Sequence, residues 1–199
     1  MDGLQGRLFL YVIIVLSAII HEYAHAWAAA REGDLTAKYA GRLTLNPLAH
    51  IDLWGTVILP LFLLLFFGVF FGYAKPVPIN PYNFRDQKRG IIWVSLAGVA
   101  ANLAVAVVIG LIIRFYPDFY AVGALASIVL VNIWLLLFNL LPFPPLDGSK
   151  LFEAIGGRSG KFSIFTQNPF GIIIAIIVAM YFIPMVIPFI FRLITGFGI

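Results

Sequence analysis

Five runs of this chain, residues 8–30, 53–73, 91–113, 119–141 and 170–191, are apolar almost without interruption. A helix needs about 20 such residues to cross a bilayer's hydrocarbon core, and each run reaches or approaches that length. The last four contain no charged residue. None alternates apolar with polar positions, as the wall of a membrane barrel would, so the runs predict helices. With 62% hydrophobic and 11% charged residues, the chain has no room for a sizeable soluble domain. The expected fold is therefore an all-α polytopic membrane protein, a single domain over residues 1–199. It has about four full transmembrane helices plus one re-entrant or fifth apolar segment, with short extended loop segments.

The net charge of +4 belongs to the loops and reflects orientation in the bilayer. No polar patch interleaves aromatic with basic residues, so no nucleic-acid partner is expected. The absence of Cys removes disulfides, thiol catalysis and thiolate metal ligands. Arg7, the apolar residues 8–20 and the triplet Ala24-His25-Ala26 resemble a cleavable export signal. Apolar character resumes through Ala30, however, so the segment reads as a retained spanning helix.

Three of the four connections between the runs are long and polar. Residues 31–52 read as loop with a short strand at 42–45. Residues 74–90 carry Pro76 and Pro78, whose alternate spacing favours extended backbone. Residues 142–169 open with Pro142, Pro144 and Pro145, which end the preceding helix near Leu141.

The first run contains His21-Glu22-Tyr23-Ala24-His25, an H-E-x-x-H pattern. Four helical residues turn the chain by about 400°, which puts His21 and His25 on one face a turn apart. Two imidazole nitrogens can then reach one Zn²⁺ at about 2.0–2.1 Å. Glu22 is placed to take a proton from a water that the metal activates. Three ionisable groups within five residues of an apolar helix need shared compensation. A metal supplies it; a buried His–Glu pair is the blander alternative.

A catalytic zinc takes a third protein ligand. The candidates are His50, Asp52, Asp147 and a few loop acids. Asp147 is best placed, following the proline cluster and preceding Gly148, which permits a sharp turn. It could equally cap a short helix at 148–155, and spacing leaves both readings open. His50 and Asp52 fit a role behind the ligands, a gate for water, or a helix cap. Asn102 and Asn139 stand in uncharged helices, where an amide either meets substrate or bonds a neighbouring helix. Asn132 has no motif around it and reads as packing.

Three motifs together resemble the site-2 protease family of intramembrane metalloproteases (peptidase M50). They are His21–His25, the stretch from Ser95 through Gly98 to Asn102, and the stretch from Asn139 to Leu146-Asp147-Gly148. Residues 41–47 and 75–80 resemble its compact prokaryotic branch, which lacks PDZ and CBS domains. The resemblance implies one zinc per chain on His21, His25 and Asp147, with Glu22 as base. It also implies substrate contacts at Asn102 and Asn139, and a supporting role for His50. The implied partners are a transmembrane protein substrate and the bilayer, in a prokaryotic plasma membrane. Val99 stands where the family usually has Pro, which removes no ligand. A membrane metal transporter and an inactive protease-like scaffold are the rival functions. No internal repeat favours the first, and no lost ligand or base favours the second.

The zinc site also constrains topology. If all five runs crossed fully, His21 would lie about 20 Å from the face carrying Asp147. If residues 53–73 enter and return on one side, that gap falls to about 8–14 Å. Re-entry also gathers ten of the thirteen Lys and Arg on one side, against eight for full crossing. The expectation is an external N-terminus, four full crossings and a zinc site nearer the cytoplasm. The extended segment 74–80 is expected to pair with an unwound substrate strand.

Overall fold

The structure, a computed structural model, describes residues 3–67, 75–156 and 170–198. These residues form helices and loops, and no strand occurs among them. Helix α1 spans Leu4–Glu32, and α2 is a single turn at Thr36–Tyr39. Leu59–Phe67 forms α3, Gln87–Phe115 forms α4 and Val122–Asn139 forms α5. Asp147–Gly156 forms α6, and α7 spans Gly171–Thr195. Four of these, α1, α4, α5 and α7, are long and apolar enough to cross a membrane.

Local chemistry sets the helix ends. Gly33 closes α1 with a left-handed φ of 111°, and its N–H bonds back into the last turn. The Asp86 side chain caps α4 by accepting from the Arg89 N–H at 2.9 Å. Helix α5 stops at Asn139, before Pro142, as the proline cluster requires. Helix α7 continues through Pro184 and Pro188.

The long helices alternate in direction, and their contacts follow from that. Helix α4 returns beside α1, joined where the Arg85 N–H donates to the Glu32 carbonyl at 2.9 Å. Close approach relies on small residues: Ala28 and Ala29 on α1, Ala106 and Gly110 on α4, and Ala175 and Ala179 on α7. Many large apolar side chains face outward instead, among them Val12, Val108, Met180 and Phe189. A lipid surround accommodates that surface; water does not.

Two expectations about the loops need correction. Residues 42–45 form no strand; they leave the left-handed turn at Gly41 as bends, with no neighbouring strand edge to pair with. The sharp turn expected at Gly148 is not made there, because Gly148 lies in the first turn of α6 with no positive φ. What it provides is clearance: a Cβ there would collide with the backbone of Leu140 and Leu141.

The fifth apolar run begins as wide π-helical turns over Leu53–Ile58 and continues as α3. Pro60 has no N–H to offer the Thr56 carbonyl, four residues earlier. That carbonyl accepts from the Tyr11 hydroxyl at 2.6 Å, which fastens the segment against α1. The Lys75 N–H donates to the His50 carbonyl at 3.0 Å. The chain therefore leaves and rejoins the same end of the bundle, as a re-entrant segment must. The part of this run from residue 68 to 73 lies outside the described residues.

Candidate metal centre

Helix α1 carries His21 and His25 on the face packed against α4. From the C-terminal end of α1 they lie about 10–16 Å along the axis, at 1.5 Å per residue. Both rings are buried. Asp147 comes from the opposite direction, at the start of α6. Its position depends on the loop after α5, where Leu141, Phe143 and Leu146 pack on Ala175, Ala179 and Ile183 of α7. That apolar cluster fixes the Asp at the mouth of the bundle.

The three side chains converge. His21 Nε2 lies 3.0 Å, and His25 Nε2 2.9 Å, from the same Asp147 oxygen. The two Nε2 atoms are 2.9 Å apart. One possible ligand atom from each residue lies within 4.8 Å of the others, and all three residues are buried. Burial opposes ionisation of Asp147, but the contacts from His21 and His25 and the nearby Lys150 charge outweigh it. They hold the carboxyl well below the usual carboxylate range. The N-terminal position in α6 adds a favourable dipole.

These residues fit a divalent cation. His25 Nδ1 donates to the Val94 carbonyl at 2.7 Å, since a carbonyl oxygen can only accept. Beside an ionised Asp147, His25 Nε2 needs either a proton of its own or a cation between the groups, and one divalent cation answers for both imidazoles at once. Tetrahedral ligands at about 2.0–2.1 Å from zinc sit roughly 3.3 Å from one another, a few tenths of an ångström wider than the separations here. Gly98 of α4 keeps the space open. A Cβ at Gly98 would stand 2.6 Å from His21 Cε1, His21 Nε2 and His25 Nε2.

Glu22 is half-buried beside the group, and its Oε2 accepts from the Val77 N–H at 2.8 Å. Val77 belongs to the extended stretch 75–80 that the alternating prolines predict. Three of the four N–H groups of this stretch bond inward: Lys75 to His50, Val77 to Glu22, and Asn80 to Asp34 at 2.7 Å. Pro76 and Pro78 have none to give. Those three N–H groups are therefore engaged within the protein in this arrangement. Asp34 anchors the far end, accepting from Asn80, Asn83 and Thr36. Burial works against its ionisation, but these bonds hold its pKa below the ordinary carboxylate value.

The remaining candidates lie elsewhere in the site's frame. Asn102 is fully enclosed, and its amide meets His21 Nδ1 at 2.6 Å and Asn132 at 2.9 Å. Its observed partners are therefore protein groups. The amide of Asn139 donates back to the Leu135 carbonyl. His50 makes no hydrogen bond to His21, His25 or Asp147. Its Nε2 donates to the Thr44 carbonyl at 2.8 Å, so the ring ties its own loop together. Asp52 caps the π-helical turn by accepting from Trp54 and Gly55. Val77 contributes a backbone N–H, which leaves no mark in the residue type; Asn132, a lone amide in an uncharged run, carries the signal that buried polarity gives. A cavity of about 320 Å³ between Ile113, Val122 and Phe191 has no ionisable group in its lining.

The chain is 34% identical over 180 residues to "Putative zinc metalloprotease YwhC" of Bacillus subtilis, covering 85% of this chain and 78% of that protein. It is 34% identical over 142 residues to "Putative zinc metalloprotease Rip2" of Mycolicibacterium smegmatis, covering 70% of this chain and 54% of the relative. Rip2 of Mycobacterium tuberculosis is 31% identical over the same length. The matched stretch thus spans about half of the Rip2 proteins. No family model matches the chain, and no solved structure matches it at a significant level.

Proposed function

Because this chain belongs to the same zinc metalloprotease family as YwhC, we propose that it is an intramembrane zinc endopeptidase of the H-E-x-x-H, site-2 type. Its substrates are transmembrane segments of other proteins, its single domain covers residues 1–199, and it works in a prokaryotic cell membrane with the N-terminus outside. The observation that carries this reading is the convergence of His21, His25 and Asp147 inside a bundle of membrane-length helices, with Glu22 alongside.

Bound zinc supplies Lewis acidity, activating a water and polarising the carbonyl of the scissile bond. His21 and His25 hold it from α1, and Asp147 holds it from α6 and supplies the negative charge. The Val77 N–H fixes one oxygen of Glu22, leaving the other to receive the proton of the attacking water. Glu22 then passes that proton to the departing amine, so the C–N bond breaks to give a carboxylate and a neutral or protonated amine. The re-entrant segment and the 75–80 stretch cover the same end of the bundle. A substrate helix must unwind there, because its peptide groups are otherwise bonded along the helix.

The test is Glu22→Gln. It retains zinc at one per chain and loses about 10²- to 10⁴-fold in cleavage of a membrane substrate. Full activity in this variant would remove Glu22 as the base. Absence of zinc from the unmutated protein would end the metalloprotease reading.

A further inference from the structure

A line of buried polar atoms leaves the metal centre and runs through three helices. His21 Nδ1 meets Asn102 Oδ1 at 2.6 Å, and Asn102 Nδ2 meets Asn132 Oδ1 at 2.9 Å. Asn132 Nδ2 reaches both Ser17 Oγ on α1 and the Ile128 carbonyl on α5, each at 2.9 Å. Asn102 and Asn132 are wholly enclosed, and Ser17 is 3% exposed. Polar groups at this depth are costly unless bonded, and the hydrolytic chemistry makes no direct use of Asn132 or Ser17.

The line has one self-consistent polarity, and a backbone atom sets it. The Ile128 carbonyl can only accept, so the Asn132 atom facing it is the NH₂. The Asn132 oxygen then faces Asn102, which must answer with its own NH₂. That turns the Asn102 oxygen towards His21, whose Nδ1 must carry a proton. A neutral imidazole holds one ring proton, so Nε2 keeps its lone pair, and Nε2 is the atom 3.0 Å from Asp147. Reversing one amide alone sets like groups face to face at the Asn102–Asn132 link. Reversing both sets two oxygens against each other at Ile128.

We propose that Asn132, the Ile128 carbonyl and Ser17 are positioning groups of the metal centre. Acting through Asn102, they fix His21 as an Nε2 ligand. Ser17 takes the second hydrogen of the Asn132 NH₂ and so holds the amide plane. Ser17 lies one turn before His21 on α1, so the network also locks the His21-bearing helix to α4 and α5. This inference rests on the reading of His21 as a zinc ligand.

Two measurements on the full chain in detergent test it. The first is zinc affinity, by competition with a chelator. Asn132→Leu frees the Asn102 amide to turn and weakens zinc binding by about 10- to 100-fold. Ser17→Ala keeps the Ile128 contact and weakens it less. Equal affinity in the unmutated protein and folded Asn132→Leu overturns the proposal. The second is ¹⁵N-histidine NMR of the unmutated protein, which has three His to assign. His21 Nδ1 should carry a proton with or without zinc, and an unprotonated Nδ1 in either state overturns the proposal even if Asn132→Leu does not fold. A wild-type protein that binds no zinc would instead defeat the metalloprotease reading, and the Nδ1 measurement would still stand on its own.

Discussion

Replacing Gly98 by alanine should cost more in metal binding than in the stability of the fold. In an exposed helix the change is worth up to about 1 kcal/mol in favour of alanine. Here the new Cβ would stand 2.6 Å from three ring atoms of His21 and His25, about 0.8 Å inside ordinary contact. Both helices are packed along their length, so relief must come from the imidazoles. Overpacking of this kind costs about 1–3 kcal/mol, which offsets the gain in helix propensity or exceeds it by up to about 2 kcal/mol. The metal is less forgiving, since ligand distances tolerate only about 0.2 Å. A displacement several times larger should weaken zinc binding at least about 100-fold, or roughly 2.7 kcal/mol. The assay is chelator competition on the purified protein, with a thermal melt of the same sample. Gly123→Ala on α5 is the control, because nothing lies within 4 Å of its Cβ position. It should keep zinc unchanged. Gly98→Ala with zinc affinity within threefold of wild type would refute the claim that this glycine keeps the ligand space open.

Further expectations concern the loops. Asp34 has a lowered folded pKa, so its contribution to stability is complete above its unfolded value of 3.8 and is lost as pH falls through the lower folded value. Melts across this acid range should show that loss in the wild type and a flatter profile in Asp34→Asn; parallel profiles would contradict it. The chain has no Cys, so single cysteines can be placed without background. Cysteines at Lys38, Arg85 and Lys150 should react with a membrane-impermeant reagent from the same side, and one at Asp118 from the other. A split among the first three would rule out a re-entrant segment at 53–73.

Much of the fold could be read from the chain because a bilayer permits few answers. Backbone polar groups in lipid must be satisfied within the segment, so a long uncharged run has to be a helix. One helix end was legible because a residue acts on its own backbone: Pro142, by its missing N–H. Other features were not. The strand expected at 42–45 rested on residue preference, and a strand needs an edge to pair with. The roles of His50 and Asp52 depend on which carbonyl or amide lies beside them, and those partners come from elsewhere in their own loop.

The H-E-x-x-H spacing alone set two imidazoles on one helical face, because the pitch of an α-helix is fixed by backbone geometry. It could not say which aspartate meets them, since Asp147 lies 122 residues from His25 and comes into contact only through the packing of α7 on the loop after α5. Nor could it reveal that Val77 offers its N–H to Glu22, or that Asn102 and Asn132 stand behind His21. Periodicity along a helix is a local property of the chain. Contact between helices depends on how their surfaces interlock, and that was decided by the tertiary structure.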